Sequence, residues 1–212
     1  MNLALCLVAL AAADEGTIEG TVKFEVKGLL GAKTVEKAQA VAFLEKLDGV
    51  TPKQTDAALM RQKNKAFEPR LLVVQQGSKV DFPNDDIIFH NVFSLSKGNE
   101  FDLGVYREGT SKTVRFQNPG VVDVFCNIHP EMIASILVVQ NDRWAYVGED
   151  GKYTLKAPPG KHTVVVYWAN GVLERKEVSV VAGEKALLDF TLVDQGRAKH
   201  LNKHGQQYGR YK

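Results

Sequence analysis

Short runs of alternating apolar and polar residues, broken by turn formers every eight to twelve positions or so, constrain this chain more than any other feature. From Thr17 to Val26, Ile18, Gly20, Val22, Phe24 and Val26 share one face, and Glu19, Thr21, Lys23 and Glu25 share the other. Further strands are expected over Ala40–Leu47, Leu71–Val74, Lys79–Phe82, Ile87–Ser94, Thr113–Phe116, Val121–Cys126 and Ile133–Val139. Gly77-Ser78, Pro83-Asn84-Asp85-Asp86 and Asn118-Pro119-Gly120 supply turns between them. Val50–Glu68 is polar, with a helical turn or two expected over Asp56–Gln62, an edge strand over Lys63–Phe67, and Met60 read as a packing residue. Nothing shows sustained helical periodicity, so the fold class is all-β, a β-sandwich.

Near Asn141 the pattern resets. Glu149–Leu155 carries a hairpin signal, Ala157-Pro158-Pro159-Gly160 a turn, and Thr163–Trp168, Lys176–Val181 and Ala186–Leu192 further strands. A β module of about fifty residues is near the lower limit for an independent core, so it should pack on the first unit and could share its N-terminal strands. From Gln195 to Lys212 the chain is basic and almost without apolar residues, which reads as a disordered tail. His200 and His204 would share a face only if that tail were helical.

At the other end, the apolar run Leu3–Leu10 and the small residues Ala11-Ala12-Ala13 before Asp14 read as a signal peptide, although Met1 and Asn2 supply no basic start. The run is too short to span a membrane. The expected division is therefore 1–13 signal peptide, 14–140 a first sandwich (14–68 opening strands, 69–140 the core that carries the chemistry), 141–194 a second β module, and 195–212 the tail. Lys and Arg number 27 against 25 Asp and Glu, a balance that says nothing about nucleic acid, and the basic residues cluster only in that tail, so no nucleic-acid partner is expected. No integral membrane segment is expected.

Cleavage after Ala13 would leave Cys126 as the one cysteine. In an oxidising compartment such a thiol has no internal disulfide partner, which favours a metal ligand. Its surroundings, Phe125-Cys126-Asn127-Ile128-His129-Pro130-Glu131-Met132, add an imidazole and a thioether, and a second imidazole stands upstream at His90. Taken singly, His90 reads as a core histidine, Met132 as core and Cys126 as a buried thiol. Together they are the donor set of a blue copper centre, in which Cys126, His90 and His129 are the strong ligands and Met132 the weak axial one. Zinc is disfavoured by the thioether. A copper ion held by four protein ligands has no open position for substrate, and no phosphate loop or nucleophile elbow is present, so an enzyme is not expected. Asp85 and Asp86 read as turn residues.

At these residues the chain resembles the cupredoxins, most closely the amicyanin and plastocyanin branch. The resemblance is strong over Leu71–Gln140, with Thr17–Leu47 supplying the opening strands. It rests on the order His90, Cys126, His129, Met132, the two-residue spacings within the loop, His90-Asn91-Val92, and Pro130 after His129. It implies a Greek-key cupredoxin sandwich holding one type 1 copper and carrying single electrons in the periplasm. It also implies that the Asn91 N–H donates to the Cys126 sulfur while the Asn91 side chain ties the ligand loops together, and that electrons pass to partners at the His129, Pro130 and Glu131 surface. A cytochrome c or a dehydrogenase would be the partner.

Two features depart from that family. Glu131 stands where amicyanins carry a bulky apolar residue, and the second β module follows the last cupredoxin strand. That module resembles carboxypeptidase-regulatory, transthyretin-like modules through Gly151–Leu155 and Pro159–His162, and the whole arrangement resembles exported proteins of the methylamine-utilisation type. A periplasmic copper-binding or delivery protein with no carrier role is the alternative reading.

Overall fold

The computed structural model describes residues 14–28, 31–36, 38–53, 57–196 and 200–208, so the expected signal peptide lies outside the described residues. Regular structure among the described residues is entirely β. Four of its sheets pack as two sandwiches back to back, and a fifth is a two-stranded hairpin.

The first sheet holds Ser111–Arg115, Lys79–Pro83 and Ala58–Leu59, and the second runs Phe101–Tyr106, His90–Ser94, Gly120–Phe125, Ile133–Val139, Leu71–Gln75. Between them Val80, Phe82, Val92, Phe116, Val122, Val124, Ile136 and Val138 form one apolar core. The third sheet runs Trp144–Tyr146, Ala40–Leu44, Gly160–Trp168, Val172–Val180. The fourth is built on the long opening strand Gly16–Gly28, which pairs antiparallel with Lys152–Ala157 and Gly31–Thr34 and parallel with Lys185–Leu187 and Phe190–Asp194. Ile18, Val22, Phe24, Leu155, Val164, Val166, Trp168 and Phe190 fill that second sandwich.

A third core joins the two. Val41, Phe43, Val165 and Tyr167 of the third sheet meet Leu71, Val73, Leu137 and Val139 of the second. This explains why some strands read as unbroken apolar runs. A strand in an inner sheet is buried on both faces, so alternation in polarity disappears. Along Ile133–Val139, Ile136 and Val138 face the first sandwich core while Leu137 and Val139 face the joining core. Ala40–Leu44 and Gly160–Trp168 divide their side chains the same way. At the joint the Tyr167 hydroxyl donates to Ser135 Oγ at 2.8 Å.

The opening strands therefore do not complete the first sandwich, as the division at residue 140 expected. Gly16–Gly28 and Ala40–Leu44 are the middle of the C-terminal sheets. Alternation reveals which face of a strand is buried but not which partner covers it. Gly20 marks the crossing, because a Cβ there would lie 1.9 Å from the Leu188 carbonyl oxygen.

Three local differences bear on the site. Ala58–Leu59 and Arg61–Lys63 are strand rather than helix, and Arg61–Lys63 forms a hairpin with Ala66–Glu68 across Asn64 and Lys65, both at positive φ (53° and 56°). Phe101–Tyr106 is a strand the alternation misses, since a bulge between Asp102 and Val105 and a positive φ of 65° at Gly104 break its period. Finally, the strand expected from Ile87 begins at His90, and Ile87 and Phe89 stand 87% and 59% exposed.

Candidate metal centre

His90 opens a fully buried strand and pairs with Tyr106. Phe125 ends the neighbouring strand and pairs with Phe93, which sets Cys126 beside His90 at the same end of the second sheet. The chain then closes on itself. The Cys126 N–H donates to the Met132 carbonyl at 3.3 Å, and the Met132 N–H donates to the His129 carbonyl at 3.0 Å. This tight loop turns the His129 ring back over the strand ends.

Three donor atoms converge there. Cys126 Sγ lies 3.9 Å from His90 Nδ1 and 3.8 Å from His129 Nδ1, and the two Nδ1 atoms are 3.1 Å apart. Bonds of about 2.0 Å to nitrogen and about 2.3 Å to sulfur put two donors of one ion roughly 3.3–3.8 Å apart, so this trio fits a single small ion. His90 and Cys126 are fully buried and His129 is partly exposed. Met132, 1% exposed, packs in the same core as Cys126.

The electrostatics favour a thiolate. Burial alone pushes the Cys126 thiol up, but the His90 ring and the N–H groups of Asn91, His129 and Ile128 outweigh it and hold the thiol below its ordinary range. The Asn91 N–H is one of the groups that lower the thiol. The Asn91 side chain does not tie the ligand loops together: its Nδ2 donates to Asp102 Oδ1 at 2.7 Å, on the bulged strand. That strand was invisible to the periodicity.

Asp86 is the residue sequence reasoning missed. Far from being only a turn residue, its Oδ2 lies 2.8 Å from His90 Nε2. It also accepts from the N–H groups of Asn64 and Lys65 at 2.7 and 2.9 Å. Burial pushes the Asp86 carboxyl up, but those two N–H groups and His90 hold it below the usual range. For His90, burial pulls the imidazole down, and hydrogen bonds to Cys126 and Asp86 raise it overall. The lead-in to His90 is pinned by the buried Asn84, whose Nδ2 donates to the Ile88 and Tyr106 carbonyls and whose Oδ1 accepts from the Asp86 N–H. A carboxylate four residues before a histidine was the available signal, but it becomes legible only once the loop is known to turn back. His129 differs: burial and the nearby His90 hold its imidazole below the ordinary value. Glu131 beside it is exposed.

The tail also departs from expectation. His200–Tyr208 packs against the ligand loop, with the His200 ring stacked on Phe125 at 4.2 Å and 10°. Hydrogen bonds and ring contacts hold it where apolar burial does not, which is why composition alone read it as disordered.

A buried cysteine sulfur, two imidazoles and a neighbouring thioether at one end of a β-sandwich make a candidate centre of the blue copper kind, and this donor set suits copper. The chain is 29% identical over 112 residues to Amicyanin-alpha of Methylorubrum extorquens, an alignment covering 51% of this chain and 92% of that protein. No family model matches. Among solved structures it is similar to a purple cupredoxin from Nitrosopumilus maritimus (22% identity, 38% of this chain and 98% of that one, TM-score 0.35). It is also similar to a reduced Cu(I) form of an amicyanin mutant (22% identity, 44% and 86%, TM-score 0.37).

Proposed function

We propose that the protein is an exported cupredoxin that carries single electrons between periplasmic redox proteins such as a cytochrome c or a dehydrogenase. The observation that carries the reading is the convergence of His90 Nδ1, His129 Nδ1 and Cys126 Sγ within 4.8 Å of one another. His90, Cys126 and His129 would hold the copper, with Met132 as the weak fourth ligand. When bound, that ion supplies reversible one-electron chemistry. The chain's residues set its conditions. The His90 ring and three backbone N–H groups lower the Cys126 thiol, which favours the form a metal takes up. Asp86 fixes the His90 ring so that Nδ1 faces inward. The burial of Cys126, His90 and Met132 keeps water from the donors.

His129 would be the partly exposed ligand, and its outer edge is the natural exit for an electron, at a surface shared with Pro130 and Glu131. Export is supported by the apolar run before Ala13 and the small residues that end it. No helix among the described residues is long and apolar enough to cross a membrane.

Repeated redox cycling tests the carrier reading. The loaded protein is reduced with ascorbate and reoxidised many times beside a Cu(I) chelator, and retained copper is counted. Near-complete retention fits a carrier. Progressive transfer of copper to the chelator at each reduction would instead indicate a delivery protein.

A further inference from the structure

We propose that the segment His200–Tyr208 is a working part of the metal centre, a brace whose side chains position the ligand loop from outside. The inference rests on the copper reading above, and one arm of its test does not.

The loop's own hydrogen bonds close it from Cys126 to Met132, and the Cys126 carbonyl, the Asn127 side chain and the Pro130 carbonyl lie on its outer side. The segment meets all three. The Tyr208 hydroxyl donates to the Cys126 carbonyl at 2.9 Å. The Lys203 N–H donates to Asn127 Oδ1 at 3.0 Å. His200 Nε2 donates to the Pro130 carbonyl at 2.6 Å. The His200 ring lies flat on Phe125, the residue before the cysteine, and Tyr208 meets that ring edge-on at 5.1 Å. A fourth tether reaches the other ligand: Lys203 Nζ lies 2.8 Å from Asp102 Oδ2, and the same carboxylate accepts from Asn91, the neighbour of His90.

The segment is shaped for this task by its own turn. Asn202 Oδ1 accepts from the N–H groups of His204 and Gln206, the Asn202 N–H donates to the Gln206 carbonyl at 2.7 Å, and the Gly205 N–H donates to the Asn202 carbonyl. This compact Asx-type turn presents Lys203 on one side and brings His200 and Tyr208 together. Apolar burial does not explain the docking, since Leu201 is 42% exposed. The polar contacts instead fall on the ligand loop and its hydrogen-bonded neighbour Asp102. These contacts fall beside His129, whose side chain stays partly exposed. Groups that hold ligands in place raise metal affinity and restrict ligand movement.

The test uses the full chain with Tyr208→Phe, which removes one donor and keeps the ring, and with His200→Ala plus Tyr208→Phe. Both should retain the blue band. In the double variant, removal of Cu(I) by a chelator should be about tenfold faster than in wild type. Tyr208→Phe alone should fall between, and the reduction potential should move from the wild-type value. In the metal-free protein, exchange of the Cys126 and Met132 amide hydrogens should quicken in the same order, while amides of Val164–Trp168 keep wild-type protection. Unchanged copper release and unchanged loop exchange would overturn the brace. If the wild-type protein takes up no copper, the copper reading fails and the exchange rates alone decide: faster loop exchange supports the brace and equal exchange sinks it.

Discussion

Asp86 Oδ2 lies 2.8 Å from His90 Nε2, on the side of the ring opposite the nitrogen that faces Cys126. A carboxylate in this position fixes the ring's tautomer and rotation and adds negative charge behind a metal ligand. Asp86→Asn removes that charge while nearly preserving shape. It should weaken Cu(II) binding by about 10- to 100-fold in a competition titration. It should also raise the reduction potential, because the doubly charged ion loses more stabilisation than the singly charged one. A potential at or below wild type would remove Asp86 from the account.

Leu137, 1% exposed, sits in the core that joins the two sandwiches. Leu137→Ala should cost about 2–5 kcal/mol, since the cavity lies between two packed sheets that cannot easily collapse. If the joining core makes the sandwiches one cooperative unit, calorimetry should show a single transition in both proteins, shifted down in the variant. Two separate transitions in wild type would contradict the shared core.

Burial alone pushes the Asp102 carboxyl up, but the Lys203 ammonium, the Asn91 amide and the Gly104 N–H together hold it below the usual carboxylate range. A carboxyl depressed in the folded state adds stability above its unfolded pKa, and that contribution is lost as pH falls through the folded value. Asp102 is partly exposed, so the effect is modest and screened. Asp102→Asn should therefore lower the thermal midpoint at neutral pH and converge with wild type at the acid end of a titration. A constant difference across pH would show that the carboxylate's charge is not what matters.

Glu131 is exposed two residues after His129, the partly exposed candidate ligand. Glu131→Phe should leave the visible spectrum intact while changing the rate of electron exchange with the native partner or the proton affinity of His129 in the reduced protein. Stopped-flow mixing at several pH values would read both. Loss of the colour would instead make Glu131 a support of the ligand loop.

The site was legible because its chemistry is local: Cys126, His129 and Met132 fall within seven residues, and His90 lies on a strand whose apolar neighbours declare its burial. Strands were legible where a regular alternation set one face against solvent, as over Thr17–Val26 within the strand Gly16–Gly28. What was hidden depended on long-range partners. Gly16–Gly28 gives no sign that its neighbours are Lys152–Ala157 and Phe190–Asp194. Phe101–Tyr106 loses its period at a bulge, and Asp86 meets His90 only because the loop between them folds back. The docking of His200–Tyr208 relies on hydrogen bonds that leave no hydrophobic pattern to read.

The central claim, that Cys126 binds copper as a thiolate beside His90 and His129, is tested most directly by the visible absorption spectrum after addition of one equivalent of Cu(II). Wild type should show an intense blue thiolate-to-copper band that ascorbate bleaches and oxidant restores, and Cys126→Ala should lack it. Copper binding without that band, or a band that survives in Cys126→Ala, would contradict the account.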